Sequence, residues 1–280
     1  MRKELVSHTN HFSFAMQKGF AMISVINDRW QTYNFLFSEL VKRDFKKKYK
    51  RTVLGIVWSM LGPLLQIAVM VLVFGHFFGR DIPHFVVFVF AGKIMYLFFK
   101  ESTDQGMQSL VSNGGIINKV KVPKYLFLLS RNVSSLLNFG LTLVIFFIFA
   151  AIDGVAFHPR FLLLVYPIIT LLLFNIGMGL VLSALFVFFK DIQYLYNIFT
   201  MLVMWLSAIF FDISTFSVTI QRLFLLNPIF THIQYFRLIV LHGVIPNWHI
   251  QLLCGLYALI ALAIGSYFYK RYNYRFVYYM

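Results

Sequence analysis

The stretch at residues 40–75, LVKRDFKKKYKRTVLGIVWSMLGPLLQIAVMVLVFG, decides the fold class because it changes abruptly from strongly basic to apolar. After Arg51 the chain carries no Asp, Glu, Lys or Arg until Arg80. An apolar run of this length exceeds the roughly 20 residues that a helix needs to cross a bilayer. Basic residues next to a span are typical of its cytoplasmic end. The stretch therefore predicts a membrane-spanning helix that follows a basic cytoplasmic segment.

The composition extends this prediction to the whole chain. Of its 280 residues, 60% are hydrophobic and only 12% are charged, whereas soluble domains average roughly 25% charged residues. We therefore expect an all-α integral membrane protein, with a cytoplasmic N-terminal segment at 1–51 and a transmembrane domain at 52–280. Six spans are predicted, at residues 53–79, 85–112, 125–152, 161–189, 195–211 and 250–269.

The N-terminal segment contains an amphipathic pattern. Its apolar residues recur at three- and four-residue steps, and Lys42, Arg43 and Asp44 occupy much of the other face. Such a pattern before a span favours a helix that lies in the membrane interface. The alternative is a helix that packs on a soluble partner. The apolar residues of the pattern are Trp30, Tyr33, Phe37, Leu40, Val41 and Phe45.

Residues 212–249, before the last span, are long and mixed in polarity. Two apolar pieces, 220–226 and 230–241, are each too short to span, and Asn227–Pro228 separates them. Such a sequence predicts a re-entrant helical pair, which membranes tolerate where protein or water covers the broken backbone. The alternative is a seventh span interrupted by proline, which would place the two termini on opposite sides of the membrane.

The net charge of +15 follows from the distribution of Lys and Arg. With a cytoplasmic N-terminus, nearly all of them fall on the cytoplasmic side, and the outer segments keep only Arg80, Arg160, Arg222 and Arg237. The positive-inside rule then places both termini in the cytoplasm, and no nucleic-acid partner is needed to explain the charge. A single cysteine, Cys254, excludes an intramolecular disulfide. We expect no secretory signal peptide after Met1.

The second predicted span is unusually polar. A charged residue near the bilayer centre costs about 2.5–3.5 kcal/mol on insertion scales, so its charges should face water or each other. The span would measure about 42 Å against roughly 30 Å of hydrocarbon, so the alternative is that Glu101 and Asp104 are solvated on the cytoplasmic side. An aromatic and polar lining suits sugars, although such aromatics are commonly core residues. The residues expected to line a channel are Lys93, Tyr96, Phe99, Lys100, Glu101, Asp104, Gln105 and Gln108.

The short basic loop at 113–124, NGGIINKVKVPK, is a candidate contact for a cytosolic partner. Ile116, Ile117 and Val120 would form a small apolar ridge, and Lys119 and Lys121 would flank it. Pro123 forces a turn before the third span. The alternative is a plain solvated turn.

Signatures of an enzyme are missing. The sequence has no phosphate loop of the G-x-x-x-x-G-K-[ST] type, so ATP hydrolysis would have to come from another chain. It has neither a G-x-S-x-G nor an H-E-x-x-H motif, and its eight histidines are scattered. We expect no catalytic residue, no bound cofactor and no metal site. The rival is a membrane enzyme acting on polyprenyl lipids, for which Glu101 with Asp104 is the one candidate pair.

Four segments in order resemble permeases of the ABC-2 type for polysaccharide export. The family places a basic "rd.k.rY" segment before "lG.lW..l.Pl", which Arg43, Asp44, Tyr49, Trp58 and Pro63 match. Residues 88–130 are similar to its "G...w.ff…n..li.kv.fP", KDIQY at 190–194 to its "rDi..", and residues 226–243 to its "NP......yR..l..g". One departure is Ala208, where the family often has proline, and it affects the expected geometry of the outer gate.

The resemblance implies a homodimer that pairs with two copies of a nucleotide-binding subunit, which would hold ATP and Mg. Its cargo would be a lipid-linked polysaccharide such as O-antigen, capsule or a teichoic-acid-type polymer, exported across a bacterial inner membrane. The alternative cargo is a drug or a lipid. The loop between spans two and three would couple to the ATPase, and outer gate helices would include Asn227, Pro228 and Arg237. The cytoplasmic gate and the lipid head-group contacts would be formed by Arg43, Lys46, Lys47, Lys190 and Asp191, for which a simple positive-inside anchor is the alternative.

Overall fold

A computed structural model describes residues 33–47, 57–78, 82–120 and 122–279, and these are predominantly α-helical. Residues 1–32, 48–56, 79–81, 121 and 280 lie outside the described residues, and they include Trp30 of the predicted amphipathic pattern and Lys121 of the predicted coupling loop. We number the helices along the chain, beginning with α1 at residues 33–47. The others are α2 (Val57–Phe78), α3 (Phe85–Gln108), α4 (Gly114–Ile117), α5 (Tyr125–Ile152), α6 (Val165–Phe188), α7 (Ile192–Trp205), α8 (Val218–Phe224), α9 (Pro228–Val240), α10 (Trp248–Tyr272) and α11 (Phe276–Tyr279).

Three helical segments of the described chain are long and apolar enough to cross a membrane. They are Tyr125–Ile152, Pro159–Phe188 and Trp248–Tyr272, and a fourth exists if the bent pair α8 and α9 counts as one span. The predicted all-helical membrane class is therefore confirmed. Helix α3 is not among the three, since Lys93, Lys100 and Glu101 interrupt its apolar sequence.

Helix α7 is shorter than the sequence pattern predicted. The predicted span was 195–211, but the helix covers Ile192–Trp205, which is 14 residues. The backbone then leaves the helix, and Ala208 has a φ of 48°. The apolar sequence continues through Phe211 without a sign of this turn, because a buried non-helical segment is as apolar as a helix.

The centre of the bundle is α6, which packs most closely against α10. A Cβ atom on Gly177 would lie 2.3 Å from the carbonyl carbon of Ala261, and one on Gly265 would lie 2.3 Å from the carbonyl oxygen of Gly177. Both glycines are therefore required for the close approach of the two backbones. Helix α3 packs on α6 and α5, and Phe90, Phe146 and similar large side chains fill the main core.

Helix α1 packs on one end of this bundle. Leu40 is 3% exposed and shares an apolar cluster with Ile117 and Phe127. The sequence pattern placed Asp44 on the polar face of this helix, which is wrong, since Asp44 is 6% exposed. Its carboxylate is buried because two arginines and a serine surround it, as described below.

Helices α8 and α9 form the bent pair before the last long helix. They are separated at Asn227 and are inclined by 107° to each other. Asn227 begins α9, because its side chain accepts hydrogen bonds from the backbone N–H groups of Ile229 (3.0 Å) and Phe230 (3.4 Å). Pro228 takes the first helical position, where its missing N–H leaves no hydrogen bond unmade.

Candidate functional site

The predicted polar stripe of α3 divides into a buried half and a half-exposed half. Lys93, Tyr96 and Phe99 are only 4%, 2% and 1% exposed. The hydroxyl of Tyr96 donates to the carbonyl oxygen of Thr200 at 2.9 Å, which ties α3 to α7. Within the chain these three side chains therefore pack in the bundle, and the lining and stacking roles expected for them remain predictions.

Lys93 lies in this packed half without a carboxylate partner among the described residues. Its ammonium is 3.6 Å from the sulfur of Met204 and 5.5 Å from the centre of the Tyr96 ring. Both are weak partners for a cation. The aromatic ring and the polarisable sulfur are the described contacts that accommodate its charge.

The other half of α3 is a connected row of polar groups. The carboxylate of Glu101 accepts hydrogen bonds from Asn138 of α5 at 2.8 Å and from Gln105 at 3.0 Å. Asp104 accepts from Gln108 at 3.5 Å, and Lys100 is exposed. The structure therefore brings five of the predicted lining residues together on one half-exposed face.

A cavity of about 360 Å³ opens beside this row, between α2, α3 and α5. Glu101 and Asp104 lie in its wall, and the buried hydroxyl of Ser135 in the same wall has no hydrogen-bond partner in the described part of the chain. The charged and amide groups of this wall are able to form hydrogen bonds with polar, hydroxyl-bearing molecules. Its further lining residues include Trp58, Gln66, Phe98, Lys100, Asn138, Phe139 and Thr142.

The polar groups that α5 contributes to the cavity were not predicted from the sequence. Ser130, Ser134, Asn138 and Thr142 recur at intervals of four residues, which places polar groups along one side of a helix. This spacing could have been recognised in the sequence. The position of Gln66 in α2 could not, because a single polar residue in an apolar span shows no period.

The proposed coupling segment is partly buried. Ile117 is 8% exposed and belongs to the apolar cluster with Leu40, so it holds the segment to the bundle instead of forming an outer ridge with Val120. Ile116 is half-buried against the same cluster. Val120 remains 48% exposed, and Lys119 is exposed beside it. The exposed part of the described segment is therefore Gly115 and Asn118–Val120, and Val120 is its exposed large apolar side chain.

A buried junction around Asp44 connects α1 to the coupling segment. Arg43 donates to the Asp44 carboxylate at 2.7 Å and to the side-chain oxygen of Asn113 at 2.8 Å. On α5, Ser130 donates to the same carboxylate at 3.3 Å, and the guanidinium of Arg131 lies 3.3 Å from it. The Arg43 side chain, which is 37% exposed, is thus engaged within the protein.

The remaining head-group residues are on the surface. Lys46 and Lys47 are exposed at the end of α1, and Lys190 and Asp191 are exposed between α6 and α7. The ammonium of Lys190 lies 4.8 Å from the centre of the Phe186 ring, and partial burial lowers the pKa of Lys190 below its usual value. The described residues show no contact that joins Lys190 to the lysines of α1.

Arg237 of the predicted outer gate is 3% exposed and reaches into the bundle. Its guanidinium donates to the carbonyl oxygens of Phe88 (3.0 Å), Ala208 (2.8 Å) and Ile209 (2.8 Å), and it lies 3.5 Å from the centre of the Phe88 ring. A Cβ atom on Gly92 would come within 2.7 Å of this guanidinium. Arg237 therefore fastens α9 to α3 and to the turn that follows α7.

Asn227 acts on the same turn. Its amide donates to the carbonyl oxygen of Leu206 at 3.1 Å and to the hydroxyl of Ser207 at 3.0 Å. The positive φ of Ala208 excludes proline, whose ring holds φ near −65°. The departure from the family pattern thus coincides with a turn that proline could not adopt.

The described residues contain no group of three or more His, Cys, Asp or Glu side chains that could hold a metal ion. The described chain is thus a helical bundle with apolar segments long enough to cross a membrane and with a cavity beside the polar groups of α3. The chain belongs to the ABC-2 type transporter family, whose sequence profile matches residues 36–241. The resemblance found from the four sequence segments is therefore confirmed.

Several curated proteins are similar over most of their length. An O-antigen export system permease protein RfbA of Myxococcus xanthus is 27% identical over 232 residues, which is 81% of this chain and 87% of the relative. An RfbA of Klebsiella pneumoniae is 25% identical and covers 86% of this chain and 95% of the relative. The polysialic acid transport protein KpsM of Escherichia coli is 22% identical over 82% of this chain and 91% of the relative.

Proposed function

We propose that this chain is the transmembrane subunit of an ATP-driven exporter that moves a lipid-linked polysaccharide out across a bacterial inner membrane. The main observation behind this proposal is the half-exposed row of polar residues between Lys100 and Gln108 of α3, with the cavity between α2, α3 and α5 beside it. The family and the relatives named for O-antigen and polysialic acid transport support this cargo. No bond is made or broken on this chain, because its task is to provide a polar path.

The sequence has no phosphate loop, so ATP and Mg would be held by a separate nucleotide-binding subunit. Two copies of the chain would form a symmetric dimer with two such subunits, because a single bundle has no room for a polymer. In this arrangement the six spans are α2, α3, α5, α6, α10 and the fifth predicted span, which consists of α7 together with the apolar residues 206–211. Both termini are cytoplasmic, and α8 with α9 is the re-entrant outer gate.

The residues that we propose to contact the sugar are the half-exposed residues beside the cavity. Carboxylates and amides, such as Glu101, Asp104 and Gln108, accept and donate hydrogen bonds to sugar hydroxyls. Trp58, which is 50% exposed at the cavity, offers an apolar face to a sugar ring. At the cytoplasmic entrance, the exposed Lys46, Lys47 and Lys190 would attract the diphosphate of the lipid carrier as point charges.

The experiment that tests the cargo is deletion of the gene in its source cell, with measurement of surface and intracellular polysaccharide. We expect the polymer to disappear from the surface and accumulate inside, and the wild-type gene to restore it. Asp104→Ala should lower export about tenfold, since a charge-assisted hydrogen bond contributes about 1.5–3 kcal/mol. Asp153→Ala, which removes an exposed acid elsewhere, is the matched control and should export normally. Unchanged surface polymer together with new drug sensitivity would establish the drug-exporter alternative instead.

A second experiment tests the coupling segment. Val120→Asp places a charge on its exposed apolar position and should disrupt ATP-dependent export by preventing docking in an apolar groove. Tyr274→Asp is the control, because Tyr274 is 84% exposed but lies outside the segment. Co-purification of the ATPase subunit is the measurement. Equal recovery of the ATPase with both variants would exclude Val120 from the contact.

A further inference from the structure

A second cavity lies on another side of the bundle, between the start of α5, α6 and the end of α10. Its volume is about 490 Å³, and it is mainly apolar. Its walls include Leu128 and Leu129 of α5, Ile176 and Leu180 of α6, and Leu262 of α10. A groove of this kind between helices that face lipid has the shape and polarity to hold an alkyl chain.

One end of this cavity is polar and basic. Lys124 and Lys270 lie in its wall with Asn273, and none of its lining residues is acidic. Lys124 donates to the carbonyl oxygen of Asn273, and partial burial lowers the pKa of Lys124 below its usual value. Lys270 is exposed in the last turn of α10. This end of the cavity is therefore positively charged.

The observation that points to a ligand is the hydroxyl of Tyr269. Tyr269 is 7% exposed and lines the cavity, and its buried hydroxyl oxygen has no hydrogen-bond partner among the described residues. A buried hydroxyl without a partner costs about 1–3 kcal/mol. After a rotation of the Tyr269 ring toward the cavity, a phosphate oxygen at the basic end would supply the missing acceptor.

The two cavities have opposite charge. The wall of the cavity beside α3 contains Glu101 and Asp104 with one lysine, Lys100, whereas the second cavity has two lysines and no acid. An anionic group is therefore disfavoured in the first and favoured in the second. The second cavity combines an apolar groove with a basic end, which is the pattern of a site for an anionic amphiphile.

We propose that the cavity between α5, α6 and α10 binds an anionic phospholipid of the surrounding membrane. Its phosphate contacts the ammonium of Lys270 and accepts a hydrogen bond from the hydroxyl of Tyr269. One acyl chain lies along Leu128, Ile176 and Leu262. In the topology proposed above, the basic end of this cavity lies in the cytoplasmic leaflet. Lipid binding there does not depend on which cargo the protein exports or on the ATPase subunit.

The test uses the full chain, purified and stripped of lipid in detergent. Phosphatidylglycerol, phosphatidylcholine, a polyprenyl phosphate and inorganic phosphate are added separately, and thermal stability and bound lipid by native mass spectrometry are measured. We expect phosphatidylglycerol to bind and stabilise the protein more than any of the other three. Equal effects of phosphatidylglycerol and phosphatidylcholine, or a full effect of inorganic phosphate, would overturn the proposal. Preference for the polyprenyl phosphate would also overturn it and assign the cavity to the carrier lipid.

The variants give the sharper test. Tyr269→Phe keeps the ring and removes only the unpaired hydroxyl, so the lipid-free protein should be as stable as wild type or more stable, while affinity for phosphatidylglycerol falls about 5- to 10-fold. Lys270→Gln should lower that affinity by a similar factor. Tyr267→Phe is the matched control, because Tyr267 is 59% exposed on the same helix and does not line the cavity. Equal losses in Tyr267→Phe and Tyr269→Phe would rule out the site.

Discussion

Asp44 and Arg237 are both buried charges, but the protein neutralises them in different ways. Asp44 is surrounded by the guanidinium groups of Arg43 and Arg131 and the hydroxyl of Ser130. Arg237 forms no ion pair with a described carboxylate, and its donors reach the carbonyl oxygens of Phe88, Ala208 and Ile209.

The protein therefore stabilises a buried charge in two different ways. A buried charge is tolerated when it is paired or fully hydrogen-bonded. At Asp44 the partners are side chains, and two of them, Arg43 and Arg131, are partly exposed and can turn to water. At Arg237 the partners are backbone carbonyls of a non-helical turn, and these cannot move without changing the fold. We therefore expect the two sites to respond differently to removal of the charge.

The largest effect is expected for Arg237→Met. The change removes the hydrogen bonds that the Arg237 guanidinium donates to the carbonyl oxygens of Ala208 and Ile209. Because these buried carbonyls lose their donors, the free energy of unfolding should fall by about 2–5 kcal/mol. Unfolding by denaturant in mixed micelles is the measurement. Arg222→Met, at an exposed arginine of the neighbouring α8, should change stability little. A similar loss for both variants would show that the carbonyl contacts of Arg237 are not essential.

A smaller loss is expected for Asp44→Asn. The amide keeps the size of the side chain but leaves Arg43 and Arg131 without their anion, and their side chains are 37% and 15% exposed. Because both can be partly rehydrated, we expect about 1–3 kcal/mol of destabilisation in the same assay. The control is Glu39→Gln, which breaks an exposed pair with Lys42 and should have almost no effect. A larger loss at Asp44 than at Arg237 would reverse the comparison.

The smallest predicted change in the free energy of unfolding is an increase, and it is expected for Ala208→Gly. Ala208 has a φ of 48°, a backbone conformation that costs an L-residue other than glycine about 1–2 kcal/mol. Ala208→Gly should therefore raise the free energy of unfolding by up to about 1 kcal/mol, after the entropy that glycine adds to the unfolded chain. Ala208→Pro should instead be strongly destabilising. If proline is tolerated as well as glycine, the positive φ does not describe this turn.

Much of the architecture could be predicted from the sequence because hydrophobic length is a local property. Helix α5 begins and ends at the predicted residues 125 and 152, and the break at Asn227–Pro228 is where the two short helices separate. The charged row of α3 was also visible, since a helical period follows from spacing alone. The end of α7 was not predictable, because the apolar residues 206–211 carry no pattern that distinguishes a helix from a buried turn.

The sequence by itself determined that this is a helical membrane protein, that it belongs to the ABC-2 permease family, and which helix carries the polar groups. These conclusions depend on composition, run length and ordered motifs, all of which are properties of neighbouring residues. Only the tertiary structure decided that Tyr96 and Phe99 are packed while Glu101 and Asp104 face a cavity. It also decided that Arg237 and Asp44 are held inside the protein. Burial and hydrogen bonding depend on groups distant in the chain, such as Arg237 and Phe88, and no local pattern contains that information.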